Sequence, residues 1–243
     1  MPNHPAHAIA PTGVLRVAIV VTPVASPFFA CADPSGNPRG VTVDLGRAMA
    51  NELQIPHELI AFPNSGEMGA AGLAGAWDVG FMPIDAEREA MFDFGPAYFV
   101  ARSTYMVPAN SPIQRIADVN RPGVRIVAIS KTTTARSARR TAPDATLHEV
   151  ASVDELIDIA RAGGADAFAL SHDALAGLLP KVPGARVLGG QFQSVGVCAA
   201  VPKNRPEALV FITRFIEDAK SSGLVRRALD QAGFKDAAVA PTI

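Results

Sequence analysis

Residues 75–99 read GAWDVGFMPIDAEREAMFDFGPAYF. The run WDVGFMP, residues 77–83, is apolar, has the length of a strand and ends at a proline. Arg88 follows between two glutamates, just before an aromatic-rich run at residues 92–99. A guanidinium keeps its charge in proteins, so its place beside core-type residues calls for a partner of opposite charge. The stretch therefore predicts a strand, then a cation with a specific partner, then a second apolar segment.

Apolar runs alternate with helical patterns on the amino-terminal side of this stretch. Strands are predicted at residues 14–21 and 57–62, and DPSGNPRG at residues 33–40 is a hairpin-like turn. Residues 41–55 have leucine and methionine at helical spacing and are closed by Pro56, and a short glycine-rich helix follows. The order strand, helix, strand, helix, strand predicts a parallel sheet with helices on its faces.

The second half of the chain repeats this pattern. The predicted elements, in order, are a strand at 123–129, a loop opening a helix at 130–142, a helix at 151–164 with the capping pair Ser152 and Glu155, a strand at 165–170, a short helix at 172–182, a strand at 195–201, and helices at 206–223 and 224–234.

Composition limits the classes of function. A chain of 243 residues with 49 % apolar residues is long enough for two lobes of about 100–150 residues each. The net charge is near −1 and the basic residues are dispersed, so we expect neither a nucleic-acid nor an anionic membrane partner. No apolar run approaches the roughly 20 residues of a membrane helix.

The cysteines and the amino terminus allow narrower predictions. Cys31 lies in the loop after the first strand and Cys198 within a later strand, and we predict that they do not form a disulfide.

Residues 1–13, MPNHPAHAIAPTG, lack the basic and apolar regions of a secretion signal. Two interpretations stand: a mature chain after a cleavage site, or a flexible lead-in rich in proline and alanine.

Three motifs together resemble a known family. GVTVDLGRAMANELQI (40–55), residues 75–99 and ADAFAL (165–170) follow, in order and spacing, the family-3 solute-binding proteins of ABC transporters. The closing residues 195–234 resemble the return strand and final helices of that family. The similarity extends over roughly residues 13–235, and its middle motif is the most specific.

The resemblance implies an α/β clamp of two lobes, of the periplasmic-binding-protein type II class, with two parallel-rich sheets. Lobe one is expected to comprise residues 1–98 plus 195–243 and lobe two residues 103–190. Hinge segments are expected at 98–102 and 191–195, with a ligand held in the cleft at the carboxyl ends of the strands.

Arg88 is the principal candidate for ligand binding. The resemblance implies that it binds a carboxylate through two parallel hydrogen bonds, which suits a planar guanidinium. We expect the empty cleft to leave this arginine largely exposed to water. The alternative is a surface salt bridge with Glu87, Glu89 or Asp93. Pro83 departs from the family pattern, because the family usually has a hydroxyl residue at that position as a second carboxylate donor.

The lobe-two loop after residue 130 is the second candidate. The family pattern of serine, glycine and threonine is replaced here by Lys131 and three threonines, Thr132, Thr133 and Thr134. An anion at a helix N-terminus would find backbone N–H groups and hydroxyls there. The alternative is that these threonines serve as a helix cap.

The acidic partner of a ligand ammonium is missing from the position that the resemblance implies. The resemblance implies an aspartate just after the strand at 165–170, and Ser171 stands there instead. Asp173 substitutes only if the chain is shifted, and otherwise it starts an exposed helix with His172. A ligand with a carboxylate and a weak or absent ammonium fits this departure.

The remaining candidates follow the first two strands. Phe28 and Phe29 are placed to cover an apolar face of a ligand, or one of them belongs to the core. Asn64, beside Ser65 at the end of the second strand, is either a polar ligand contact or an ordinary turn residue.

Two functions are therefore considered. The first is a periplasmic solute-binding protein that captures a small carboxylate-bearing molecule, an amino acid or related organic acid, for an ABC importer or sensor. We expect it to be a monomer with no cofactor, no metal and no catalytic residue, and with ABC permease subunits as partners. The alternative is an enzyme on the same fold, such as a cyclohexadienyl-dehydratase-like lyase, for which a cytoplasmic location is considered. Its candidate acids are Asp85, Asp173 and Glu67.

Overall fold

A computed structural model describes residues 5–243 of the chain. These residues form two compact units. The first unit comprises the described residues up to Val100 together with Val195–Ile243, and the second unit is Ala101–Ser194. The chain thus leaves the first unit once and returns to it once.

The strands and helices are numbered in chain order. The strands are β1 Leu15–Thr22, β2 Ala30–Ala32, β3 Pro38–Arg39, β4 His57–Phe62, β5 Val79–Pro83, β6 Phe92–Val107, β7 Arg125–Ile129, β8 Thr146–Val150, β9 Ala167–Ser171, β10 Arg186–Val187 and β11 Gln193–Pro202. The helices are α1 Pro5–Ile9, α2 Val41–Leu53, α3 Ser65–Leu73, α4 Ala86–Met91, α5 Thr133–Thr141, α6 Val153–Arg161, α7 His172–Leu178, α8 Pro206–Ser221 and α9 Leu224–Gln231, with short 3-10 turns at Ile116–Val119 and Leu179–Lys181.

The sheet of the first unit is built around β1. Strands β4 and β5 both pair with β1 in parallel, so that Val17 lies beside Leu59 and beside Val79. The return strand β11 pairs with β5 in the antiparallel sense. The parallel order predicted for the first three major strands is confirmed, and their carboxyl ends lie at one edge of this sheet. That edge holds Pro83 at the end of β5.

The core beside this sheet requires one glycine. Trp77 is fully buried, and its indole N–H donates to the carbonyl of Met68 at 2.8 Å. A Cβ atom added at Gly72 would lie 2.3 Å from the Trp77 ring, so helix α3 can approach the tryptophan only with glycine there. This packing places the start of α3 beside β5.

The strands of the second unit pair around β7 and β9. Strand β7 pairs in parallel with β8 on one side and with β9 on the other, and β9 pairs with β6 in the antiparallel sense. Strand β8 is absent from the sequence-based prediction. Its residues TLHEV contain a histidine and a glutamate and alternate in burial, which gives too weak an apolar pattern for recognition.

The amino terminus corrects one expectation. The interpretation of the amino terminus as a flexible lead-in is wrong for residues 5–10, because Pro5–Ile9 is a helix that packs against α8. Ile9 and Ala10 are buried. The part of that prediction that concerns residues 1–4 lies outside the described residues.

Two further features concern helix length and the thiols. Across residues 5–243, the helices are all too short or too polar to span a membrane. Cys31 is a half-buried free thiol, and Cys198 is a buried free thiol.

Candidate functional site

Arg88 lies in the short helix that follows β5. Asp85 caps this helix, because its carboxylate accepts a hydrogen bond from the backbone N–H of Arg88 at 3.0 Å. The guanidinium folds back onto the strand end: Nη1 donates to the carbonyl of Pro83 at 2.7 Å, and Nη2 donates to Oγ of Ser65 at 2.8 Å. We call Arg88, Pro83 and Ser65 the arginine corner.

The burial of Arg88 corrects the sequence analysis. The residue is only 2 % exposed, so the expectation of a largely hydrated guanidinium is wrong. The fixed geometry of the corner explains this burial, because the strand end and the start of α3 each supply an oxygen to one arm of the guanidinium. Of the three acids considered as surface partners, Asp93 forms an ion pair with Lys203 at 2.7 Å.

Pro83 acts through its carbonyl in this corner. The absence of a hydroxyl and an N–H at this position removes a donor, as the sequence indicates. The carbonyl oxygen nevertheless orients Nη1 of Arg88, and any residue type would supply that oxygen. This carbonyl only accepts, so it does not replace the missing donor to a carboxylate.

Asn64 holds the other side of the corner in place. It is the N-cap of α3, and its side-chain oxygen accepts hydrogen bonds from the N–H groups of Gly66 at 2.8 Å and Glu67 at 2.9 Å. Asn64 and Ser65 are both buried. The cap therefore fixes the first turn of α3, from which Ser65 reaches Arg88.

Phe28 is a core residue by its contacts. It is 4 % exposed, its ring stacks on that of Phe99 with centroids 5.6 Å apart, and its carbonyl accepts from the Tyr98 hydroxyl. Phe29 is half-buried and lines a cavity of about 150 Å³ together with Cys31 and Asp44. The sequence allowed these two phenylalanines to cover a ligand or to belong to the core, and the contacts of Phe28 are those of a core residue.

The threonine loop of the second unit forms the start of α5. Thr132 is the N-cap: its hydroxyl donates to the carbonyl of Ile129 at 2.7 Å and accepts from the N–H of Ala135 at 3.1 Å. Thr133 is buried, and Thr134 is half-buried. The capping role is thus present for Thr132, and the first turn of the helix presents Thr133 and Thr134.

Thr134 belongs to a polar cluster with two residues that the sequence analysis did not select. Its hydroxyl lies 3.1 Å from that of Ser103 on β6 and 3.4 Å from Oε1 of Gln193 on β11. The Ser103 hydroxyl donates to Oε1 of Gln193 at 2.9 Å. We call Ser103, Thr134 and Gln193 the polar cluster of the second unit.

Ser171 continues the same edge of this sheet. It pairs in register with Ser103 across β9 and β6, and it caps α7 by accepting from the N–H of Ala174 at 3.3 Å. Asp173 follows in the first turn of α7 and is half-buried, whereas His172 is exposed. Burial raises the pKa of Asp173, and the nearby charges of His172 and Arg102 oppose that shift.

The structure therefore groups the predicted residues within each unit. In the first unit it brings together Arg88, Pro83 and the pair Asn64–Ser65, and it leaves Phe28 in the core. In the second unit it brings together Thr132–Thr134 and Ser171 through Ser103 and Gln193. Within residues 5–243, no set of three or more His, Cys, Asp or Glu side chains is arranged to hold a metal ion.

Comparison with known families gives one extended match. The model of the family described as bacterial extracellular solute-binding proteins, family 3, matches residues 17–233.

Two curated relatives are similar over part of their length. The glutamine-binding protein of Geobacillus stearothermophilus is 25 % identical over 169 residues, which cover 65 % of this chain and 62 % of that protein. The chain thus spans less than two thirds of the length of that relative. The ABC transporter glutamine-binding protein GlnH of Bacillus subtilis (strain 168) is 22 % identical over 201 residues, or 81 % of this chain and 73 % of that protein.

Solved structures show the same fold. The P235GK mutant of ArgBP from T. maritima superposes with a TM-score of 0.81 at 21 % identity and covers 94 % of this chain and 99 % of its own. The ancestral amino acid-binding protein AncCDT-1, a precursor of cyclohexadienyl dehydratase, superposes with a TM-score of 0.77 at 25 % identity over 92 % of this chain and 96 % of its own. The predicted fold class, a two-lobe α/β solute-binding fold, is confirmed.

Proposed function

The chain belongs to the bacterial extracellular solute-binding proteins of family 3, and from that membership we propose that it captures a small carboxylate-bearing molecule for an ABC importer or a sensor. The ligand class in this proposal is an amino acid or a related organic acid. The buried and oriented guanidinium of Arg88 is the observation on which the proposal depends.

Arg88 suits a carboxylate for two physical reasons. Its planar fork can donate two parallel hydrogen bonds to the two oxygens of a carboxylate. The bonds to Pro83 and Ser65 already fix the plane of the fork, so little side-chain freedom remains to be lost on binding. A guanidinium has five N–H donors, so these two bonds can persist while a carboxylate is bound.

The second unit supplies the other contacts in this proposal. Backbone N–H groups and hydroxyls at the start of α5, at Thr132–Thr134, suit an anionic or polar group. In this proposal Ser171 is a further polar contact, and Asp173 is the candidate partner of a ligand ammonium. Asn64 and Pro83 act indirectly, since they support the arginine corner, and Phe28 is a core residue.

Asp173 provides a test of the ligand class. If the ligand has an ammonium group that pairs with Asp173, Asp173→Asn will weaken an amino acid but leave a 2-oxo acid of the same skeleton unaffected. L-glutamine and its own 2-oxo acid, 2-oxoglutaramate, are suitable probes, because relatives are named for glutamine binding. Equal affinities of the parent and Asp173→Asn for both probes would exclude Asp173 as the ammonium partner.

A thermal-shift screen tests the function itself. Amino acids, 2-oxo acids and dicarboxylates are added to the parent chain, since a ligand at about 100 times its Kd adds roughly 2.7 kcal/mol to the free energy of unfolding. Arg88→Ala should lose the shift seen with the parent. Arg47→Ala, an exposed arginine of the same unit, is the matched control and should keep it. No shift with any compound would contradict the proposal.

We further propose that the protein is not an enzyme. The carboxylate of Asp85 caps α4 and Glu67 is exposed, so neither is a candidate for a buried catalytic acid. Asp173 has a raised pKa, so it is the candidate catalytic acid if the protein is a dehydratase. Incubation with a cyclohexadienyl hydroxy acid decides between a binding protein and an enzyme. Formation of an aromatic product is followed by ultraviolet absorbance. Turnover that disappears in Asp173→Asn would favour the enzyme.

The proposed location is the periplasm, and the proposed partners are the subunits of an ABC permease. Both follow from the extracellular character of the family. Fractionation of cells that express the natural gene tests the location, and crosslinking of the loaded protein to membrane vesicles tests the partner.

A further inference from the structure

We infer that Gln193 is a positioning residue for the ligand-binding face of the second unit. It holds the start of α5 in place from the segment through which the chain returns to the first unit. This inference rests on the proposed function, since the face in question includes Thr133 and Thr134.

The side-chain amide of Gln193 bonds at both ends. Its Nε2 donates to the backbone carbonyl of Thr133 at 3.1 Å. Its Oε1 accepts from the Ser103 hydroxyl at 2.9 Å and lies 3.4 Å from the Thr134 hydroxyl. A carbonyl cannot donate and a hydroxyl can, so only this orientation of the amide satisfies all of these groups.

The hydrogen bonds of Gln193 are made to buried groups, so their loss is costly. Ser103 and Thr133 are each 2 % exposed, so water does not readily replace a lost partner there. A buried polar group that loses its hydrogen bond destabilises the local arrangement by more than the bond itself contributes. The simplest relaxation is a movement of the first turn of α5, which would displace the Thr133 backbone and the Thr134 hydroxyl.

The backbone around Gln193 is itself anchored in the second unit. The N–H of Phe192 donates to the carbonyl of Ser103 at 2.9 Å, and the Phe192 ring stacks on Tyr105 with centroids 4.4 Å apart. Gln193 therefore extends from a fixed backbone. A side chain on such a backbone can hold a helix start in place, whereas one on a loose loop cannot.

Two substitutions of Gln193 separate the effect of losing its hydrogen bonds from the effect of an added negative charge. Gln193→Leu removes every side-chain hydrogen bond at similar volume. Gln193→Glu keeps the acceptors but cannot donate to the Thr133 carbonyl when ionised, and it adds a negative charge beside the start of α5. The matched controls are Gln191→Leu and Gln191→Glu, because Gln191 is exposed on the same segment.

The experiment measures affinity by calorimetry with L-glutamine, L-arginine and 2-oxoglutarate, and the unfolding temperature of each chain without ligand. We expect both Gln193 variants to bind the tightest of these probes about tenfold more weakly, as for the loss of one buried hydrogen bond. The Gln191 variants should stay within about twofold of the parent, as usual for surface changes. For the anionic probe 2-oxoglutarate, added salt should restore part of the affinity of Gln193→Glu relative to the parent, because it screens the added negative charge, and none of that of Gln193→Leu.

The outcomes are distinct. A purely structural role would lower the unfolding temperature of both Gln193 variants and leave their affinities within about twofold of the parent, which would overturn this inference alone. Equal losses in the Gln191 and Gln193 variants would also overturn it. If the parent binds none of the three probes, the inference fails together with the proposed function.

Discussion

Ser65 accepts a hydrogen bond from Nη2 of Arg88 at 2.8 Å, and both residues are buried. The two are 23 positions apart in the chain, on α3 and α4. With the carbonyl of Pro83 on the other arm, this bond fixes the guanidinium before any ligand arrives. The orientation of Arg88 therefore depends on the cap of a different helix, and it can be disturbed without changing the arginine.

Ser65→Ala is the direct test of that dependence. It removes the acceptor of Nη2 and leaves the charge of Arg88 in place, so the fork gains freedom that binding must remove. A hydrogen bond to a charged group contributes about 1.5 kcal/mol or more, and we expect carboxylate affinity to fall about tenfold. Calorimetry on the parent and the variant measures this. Ser35→Ala, in an exposed turn of the same unit, serves as the control, and equal affinities for all three chains would refute the dependence.

Arg88→Ala should have the larger effect on binding. It removes a charge-assisted, buried pair, which typically costs about 2–5 kcal/mol of binding free energy. Arg88→Lys should recover only part of this, because an ammonium cannot reproduce the planar fork. Affinity of Arg88→Ala within about threefold of the parent would count against a role for Arg88 in binding, since the loss of such a pair should far exceed that.

Stability should fall in Arg88→Ala as well. Because Arg88 is 2 % exposed, its removal leaves Ser65 and the Pro83 carbonyl without their described partner in a buried place. A buried polar group left unsatisfied costs about 1–3 kcal/mol in the free energy of unfolding. Chemical denaturation of the ligand-free chains measures this, and Arg47→Ala should show little change. Equal stability of the two variants would show that water replaces the lost bonds.

Local patterns predicted much of this fold. The strand at residues 57–62 has the predicted bounds, and helix α6 begins where the capping pair indicated, with Ser152 accepting from the N–H of Glu155 at 3.2 Å. These features are encoded within a few residues, in apolar periodicity and in cap chemistry. The pattern around residues 75–99 also predicted the buried strand that precedes Arg88.

The contacts of the candidate site are harder to predict from local sequence patterns. A backbone carbonyl is common to every residue type, so no pattern marks the one at Pro83 as the partner of Arg88. Gln193 bonds to residues that lie 60 and 90 positions earlier in the chain. Only the folded topology brings these groups together. The burial of Arg88 and the role of Gln193 therefore appear first in the structure.

The two thiols should differ in reactivity. Burial raises the pKa of Cys198 to about 12, so almost none of it is thiolate at pH 8. Cys31 is half-buried and borders a cavity. We expect a thiol reagent to modify one cysteine in the native chain and both in denaturant, and Cys31→Ser to abolish the native reaction. A native reaction that survives in Cys31→Ser would show that Cys198 is accessible.

Asp78 should support stability without affecting binding. Its fully buried carboxylate accepts from the backbone N–H of Arg16 at 3.0 Å and from Nη2 of that residue at 2.7 Å, tying the start of β1 to that of β5. Breaking a buried pair of this kind costs about 3–5 kcal/mol, so Asp78→Asn should lower the free energy of unfolding strongly. The surface pair of Asp93 with Lys203 provides the control: Asp93→Asn should cost at most about 1 kcal/mol.

Binding by the Asp78→Asn chain is the second measurement. Asp78 precedes β5, and Pro83 ends it about 16 Å away by the usual rise per strand residue. Where the variant is folded, its carboxylate affinity should match that of the parent. A loss of affinity in a folded Asp78→Asn chain would mean that the two ends of β5 are coupled.

Asp173 should make stability depend on pH in a specific direction. Burial raises the pKa of its carboxyl group above the ordinary value of 3.8, so the folded state holds this proton more tightly than the unfolded state does. The stability that this group contributes is therefore present below its ordinary pKa and is lost as the pH rises through the raised value. At neutral pH the folded chain retains a half-buried, partly desolvated carboxylate.

Asp173→Asn should accordingly unfold at a higher temperature than the parent at pH 7, and the difference should shrink as the pH is lowered towards the ordinary pKa of an aspartate. The charges of His172 and Arg102 oppose the shift, so Arg102→Gln should enlarge the gain from Asp173→Asn at pH 7. Thermal unfolding of the parent, both single variants and the double variant from pH 4 to pH 8 measures these differences. Asp144→Asn, in an exposed loop of the same unit, controls for the general loss of an acidic charge. If the Asp173→Asn chain were less stable than the parent at pH 7, the ionised carboxylate would be making a favourable contact that outweighs its desolvation.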